Sequence, residues 1–336
     1  MFKTIGGGMA FQILSLSGGG FLGLYTAAVL AELEERSGKR LNKCFDLFAG
    51  TSIGGIVALG LAAGRPASDI RDAFIEHGPR IFPQRPPRSK AGWIRRFARN
   101  VPAPLYKPGP LRETIEQIVG ADTCMSDLTR PAVIPAVNLT KGGPKVFKTG
   151  HHERFVLDWR LKVADVALAT SAAPTYFPAH RIGNELFADG GMFANSPDMI
   201  ATHEAEMFLG VKRNDIHVLS VGTTTTDFAM SSALDPNMGV MGWMRNQRLT
   251  DVMIGSQQAL TNDMMKHVLA DRYLRIDRRQ ADEQRAVLAL DAATPEAISN
   301  LQSLARGSFA EVSADPRLRS FLDHDAPAFT FINASI

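Results

Sequence analysis

The chain has little that would staple or anchor it. Only two of its 336 residues are cysteine, Cys44 and Cys124. They lie far apart and form no C-x-x-C pattern, which argues against a disulfide framework or a thiolate zinc site and fits a reducing cytoplasm. No apolar run reaches the ~18–20 residues that a membrane-spanning helix requires. The opening MFKTIGGGMA lacks the cationic and apolar regions of a secretory signal. A cytoplasmic protein that reaches any membrane from the water side is the expectation. The formal net charge is only +3, too small to name a partner, and no nucleic-acid partner is expected. No repeat or low-complexity linker divides the chain. His151-His152 has no spaced third ligand, so no metal site is expected.

What is present is ordinary globular material, 45% hydrophobic and 21% charged, sufficient for a large core. A short apolar strand over 11–17 runs into Gly18-Gly19-Gly20, and an amphipathic helix follows over 23–36. A second strand over 44–49 leads into a small-residue apolar helix over 53–63, closed by Gly64 and Pro66. Strand–helix–strand–helix order predicts an α/β fold, a mainly parallel sheet covered on both faces. Further strands are expected over 132–139, 145–149, 186–188 and 216–222, and helices over 110–119, 196–208, 250–269 and 295–306. Residues 1–225 read as the core, with a basic insertion at about 80–110. Residues 226–336 read as a helical part packed on the same domain.

Three short motifs carry chemistry. Gly50-Thr51-Ser52-Ile53-Gly54 matches G-x-S-x-G between a strand and a helix, the context of a nucleophile elbow. Its glycines remove side chains from a tight turn, and the amides at the start of the next helix favour negative charge on Ser52 and on an oxyanion. Gly18-Gly19-Gly20-Phe21-Leu22-Gly23 fits the dinucleotide fingerprint G-x-G-x-x-G, with Asp46 near the position of a ribose-binding acid. The same row of amides suits a tetrahedral oxyanion. Phe187-Ala188-Asp189-Gly190-Gly191 puts an acid after a short strand, either as a catalytic base or as a hairpin turn. A Ser-His-Asp triad would need His203, His217, His267 or His324; a Ser–Asp dyad needs none of them.

Together these motifs resemble the patatin-like phospholipases in order and spacing, as do Thr170-Ser171-Ala172-Ala173-Pro174-Thr175-Tyr176-Phe177-Pro178 and Ala194-Asn195-Ser196-Pro197. The resemblance implies a three-layer α/β/α sandwich and a Ser52–Asp189 dyad. It also implies an oxyanion hole from Gly18, Gly19 and Gly20, joined by the amide of Ile53, with Gly23, Gly50, Gly54, Gly190 and Gly191 shaping the turns. Acyl esters of phospholipids would be cleaved with no catalytic cofactor. Leu22 departs from the pattern, because the family usually carries Arg or Lys there. A narrower resemblance, in Gly23-Leu24-Tyr25-Thr26-Ala27 and the strand Pro144-Lys145-Val146-Phe147-Lys148-Thr149, is to bacterial patatin-like effectors of antiphage signalling. It implies a cyclic dinucleotide activator, typically cyclic GMP-AMP, a membrane phospholipid substrate and a homo-oligomer. The rival readings are a triad carboxylesterase for small esters and a catalytically silent nucleotide-binding sensor.

The stretch 80–107 holds eight Lys or Arg and no acid. Within it Trp93 and Phe97 are spaced i, i+4, with Arg95, Arg96 and Arg99 on other faces, so a short basic helix there suits an anionic bilayer or nucleotide phosphates. The plainer alternative is a helix packed on the core with solvated arginines. Met238, Met241, Met244 and Met253 read as an adaptable apolar patch, for acyl chains or simply for core packing.

Overall fold

The computed structural model describes residues 10–83, 103–155, 157–224, 236–239, 242–243, 248–285 and 287–332. The strand Phe11–Leu16 (β1) lies mid-sheet, buried at every position. It pairs in parallel with Leu47–Gly50 (β2) on one side and Ile216–Val221 (β7) on the other. Ala132–Asn138 (β3) extends the sheet in parallel beyond β2, and Tyr273–Ile276 (β8) does so beyond β7. Past β3 the direction reverses. Glu185–Asp189 (β6) runs antiparallel to β3 and His180–Ile182 (β5) antiparallel to β6, giving the order β5-β6-β3-β2-β1-β7-β8, while Gly143–Lys148 (β4) also pairs with β3, antiparallel.

Strand alternation sorts the core into two layers. Leu14 and Leu16 enter the larger cluster, which is covered by helices Gly23–Ser37, Ile53–Ala62, Ala67–Ile81, Gly109–Val119, Val163–Thr170 and Pro295–Val312. Phe11 and Ile13 enter the smaller cluster, with Ala201, Ala205, Met265 and Leu269 of helices Asp198–Met207 and Arg248–Leu269. Helices on both faces of a mixed, mostly parallel sheet make the expected three-layer α/β/α arrangement. The helix Ile53–Ala62 is buried along its whole length, which explains why its sequence is apolar on every side.

The expected elements differ in several places. The second strand starts at Leu47, because Leu41–Cys44 forms a helical turn. The helix Ala67–Ile81 was hidden by Pro79, which its last turn accommodates. The carboxy-terminal third is not purely helical: β8 completes the sheet beside β7. In the same third, the helix Pro295–Val312 packs on Gly23–Ser37, where Tyr25 Oη donates to Ser308 Oγ at 2.8 Å.

Candidate active site

Ser52 follows β2 and immediately precedes the buried helix Ile53–Ala62. Its φ of 55° is rare for a residue with a side chain. The glycines on either side make that turn affordable. A Cβ on Gly50 would collide with the Gly54 carbonyl, and one on Gly54 would lie 2.5 Å from Leu16 O. The Ser52 amide donates to Thr170 Oγ1 at 3.0 Å, and Thr170 Oγ1 in turn donates to Pro135 O. The elbow is therefore tied to β3 and to the end of helix Val163–Thr170.

Sheet register brings the acid to this serine. Phe48 and Ala49 pair with Ala132 and Val133, and Ala136 pairs with Asp189. Two residues beyond the end of β2, Ser52 is thus level with Asp189. Ser52 Oγ donates to Asp189 Oδ2 at 2.6 Å, across 137 residues of sequence. The Gly191 amide donates to Oδ1 at 2.7 Å. Gly190 and Gly191 open the short helix Gly191–Ala194, so the hairpin alternative for this motif is corrected. Burial raises the Asp189 carboxyl to about 6, against the lowering effects of the Ser52 and Gly191 hydrogen bonds.

The glycine turn follows β1 beside the elbow. Gly18 N–H donates to Asn195 O at 3.0 Å, so that amide is already committed, which corrects its expected place among the oxyanion donors. Gly18 O accepts from Thr223 Oγ1 at 3.0 Å and from Asn195 Nδ2 at 3.3 Å. Among the described residues the amides of Gly19, Gly20 and Ile53 have no acceptor. Gly20 has φ +56°, and a Cβ there would strike Leu290 O. That same carbonyl accepts from Phe21 N–H at 2.7 Å. Leu22 is buried in the larger core cluster, and Gly23 packs where a Cβ would strike Ile53.

The remaining candidates lie elsewhere. Asp46 is at the opposite end of β1, where Oδ2 accepts from Gln12 N–H at 2.8 Å and lies 3.0 Å from His324 Nε2, so it is not placed to hold a ribose beside the glycine turn. His203 lies against Phe208 and His217 against Phe321, and His267 is exposed on the helix Arg248–Leu269; none of these bonds to Ser52 or Asp189. Both ring nitrogens of His151 are engaged, by Thr149 and Glu204. Trp93, Arg95, Arg96, Phe97 and Arg99 lie outside the described residues, as do Met241 and Met244, while Met253 is exposed. Sequence reasoning assigned no role to Thr170 or Asn195 individually, although both fall in stretches noted above. It missed Arg275 altogether, and the only signal was a lone arginine between Leu274 and Ile276.

Residues 14–202 match the profile of the family described as "Patatin-like phospholipase". The chain is similar to a protein of Pseudomonas aeruginosa named "cGAMP-activated phospholipase", 38% identical over 95% of this chain and 94% of that one. It is also similar to a protein of the same name from Vibrio cholerae, 39% identical over 88% of this chain and 89% of that one. "Patatin-like protein 1" of Arabidopsis thaliana is 29% identical over 88% and 81%. Among solved structures, VipD of Legionella pneumophila is 13% identical with a TM-score of 0.39, covering 90% of this chain and 67% of that one.

Proposed function

From the premise that this chain belongs to the patatin-like phospholipase family, we propose that it is a lipid acyl hydrolase in which Ser52 and Asp189 release fatty acids from membrane phospholipids. The observation that carries this reading is the 2.6 Å bond from Ser52 Oγ to Asp189 Oδ2 at a strained turn. The base touches the nucleophile directly, with no histidine between them. In the first step Asp189 takes the Ser52 proton as Oγ attacks the ester carbonyl. The oxyanion sits on the free amides of Gly19, Gly20 and Ile53, at the positive end of a helix that water does not screen. The C–O bond to the leaving alcohol breaks, and the proton on Asp189 passes to that alcohol. In the second step Asp189 deprotonates water, which attacks the acyl-Ser52 ester; the fatty acid leaves and the proton returns to Oγ.

The names of the bacterial relatives extend the proposal: a cyclic dinucleotide, cyclic GMP-AMP, switches this activity on. Phospholipid is met at the inner face of the membrane from the cytoplasm, with the basic stretch of Trp93, Arg95, Arg96, Phe97 and Arg99 as the contact, and the active form is a homo-oligomer. Residues 1–225 and 226–336 act as one catalytic unit. The test is fatty-acid release from phospholipid vesicles, with and without cyclic GMP-AMP, by wild type, Ser52→Ala and Asp189→Asn. Release that needs the nucleotide and is lost in both variants supports the whole reading. Release without nucleotide removes the switch alone. Silence under every condition, with Ser52 unreactive toward fluorophosphonates, overturns the hydrolase in favour of a silent sensor.

A further inference from the structure

The glycine turn carries no charge of its own, yet a buried cation stands directly behind it. Arg275 comes from β8, and its side chain is only 11% exposed. Its Nη1 lies 2.9 Å from Ser17 Oγ, 3.1 Å from Ser196 Oγ and 2.7 Å from Ser220 Oγ. Its Nη2 donates to Asp277 Oδ2 at 2.7 Å. A guanidinium is costly to take out of water, and one ion pair seldom repays that cost as stability alone. The contacts it makes are therefore informative. Ser17 precedes Gly18, and Ser196 follows Asn195, whose carbonyl and side chain hold the Gly18 peptide from both sides. Asp277 Oδ1 accepts from Thr224 N–H at 3.1 Å, which fixes the segment whose Thr223 Oγ1 donates to Gly18 O. Asn195 Nδ2 also donates to Gln258 Oε1 at 3.0 Å, on the helix Arg248–Leu269.

Among the described residues, each hydrogen bond to the Gly18 peptide thus comes from a residue adjoining one that Arg275 or Asp277 grips. We propose that Arg275 and Asp277 are positioning residues that aim the Gly19 and Gly20 amides at the oxyanion. The fork geometry matters, because one planar group must reach the serine hydroxyls and the carboxylate at once; a lysine has one nitrogen and reaches only one of them. This assignment lies outside residues 14–202, the family-matched region, and it rests on the Ser52 reading above.

The test uses the full chain with its activator present. Arg275→Lys, the double variant R275M/D277N (which removes both partners of the buried pair) and the milder Ser17→Ala are compared with wild type for kcat, KM, pH profile and affinity for a trifluoromethyl ketone that forms an oxyanion adduct with serine. In variants that unfold within a few degrees of wild type, kcat is expected to fall ~10–100-fold for the changes at Arg275 and less for Ser17→Ala, with KM unchanged. Ketone affinity falls in parallel, and the acid limb set by Asp189 stays in place. A folded variant at Arg275 that keeps kcat within about threefold of wild type overturns the proposal. So does a loss of kcat accompanied by a shifted acid limb, since the network would then act on Asp189. Should Arg275→Lys and the double variant fail to fold, Ser17→Ala decides alone, and undiminished ketone affinity in it overturns the proposal. If Ser52→Ala retains full activity, it is the dyad reading that fails, which separates the two.

Discussion

The two halves of the sheet bring opposite kinds of chemistry to one point. On the parallel side, β1 and β2 each end in a tight turn that opens a helix, and these turns supply amides and the proposed nucleophile, Ser52. On the antiparallel side, β6 runs the other way and supplies only the carboxylate, at a buried position beside Ala136. Parallel strands followed by helices gather partial positive charge at their carboxyl ends, which suits an oxyanion. The Ser52 hydroxyl and the Gly191 amide, each at the start of a helix, lower the proton affinity of Asp189, and burial outweighs both. Delivered from the antiparallel side into a dry environment, Asp189 keeps a raised affinity of about 6.

That division can be broken one side at a time. The largest effect is expected from the pair itself. Ser52→Ala and Asp189→Asn should each cut kcat by more than ~10³-fold, measured as initial fatty-acid release. In wild type, kcat/KM should rise with pH through about 6, as the carboxyl ionises. Stability runs the other way. A carboxyl with a raised folded value contributes stability that is fully present below its ordinary value of 3.8 and lost as pH climbs through about 6. Asp189→Asn should therefore be more stable than wild type at pH 8, by at most about 3 kcal/mol, with the gap closing at low pH. Equal melting temperatures at pH 8 and pH 4 would contradict that account.

On the parallel side, a Cβ at Gly19 would lie 2.6 Å from Thr223 Cβ. Gly19→Ala should displace the amide and lower kcat ~10²-fold while leaving the acid limb at about 6. A moved acid limb would show that the halves are not independent. Thr170 bridges them, so Thr170→Val should lower kcat by only ~3–10-fold and cost about 1–2 kcal/mol in denaturant unfolding. The smallest effect belongs to the histidines. Replacing His203, His217, His267 or His324 by Asn should leave kcat within about twofold, and a collapse in any one of them would restore the triad.

The parallel side was also the more legible from sequence. Glycine clusters between an apolar strand and a helical period announce local turns, and both turns form where the spacing places them. The strand–helix–strand–helix order likewise foreshadows the sheet and its two covered faces. Asp189 could be suspected from its glycines, but its contact with Ser52 depends on the β2–β3–β6 register, which no local pattern encodes. The same holds for Thr170 and Asn195, whose work is done through backbone partners distant in sequence. Strands β5 and β8 have three and four residues, too short for periodicity to separate them from loop. Arg275 was invisible because an arginine in such a run reads as solvated until the sheet closes around it.

The carbonyl of Leu290, which accepts from Phe21 N–H and fills the space a side chain at residue 20 would need, has a consequence for the order of synthesis. Ser52 and Asp189 leave the ribosome well before it, and the family-matched region is complete at residue 202. The contact of the glycine turn with Leu290 O forms only once residue 290 has emerged and folded back. A nascent chain therefore carries the proposed nucleophile and base for some time without the Leu290 contact of the proposed oxyanion cradle, and a fragment cut after β7 would lack that contact altogether.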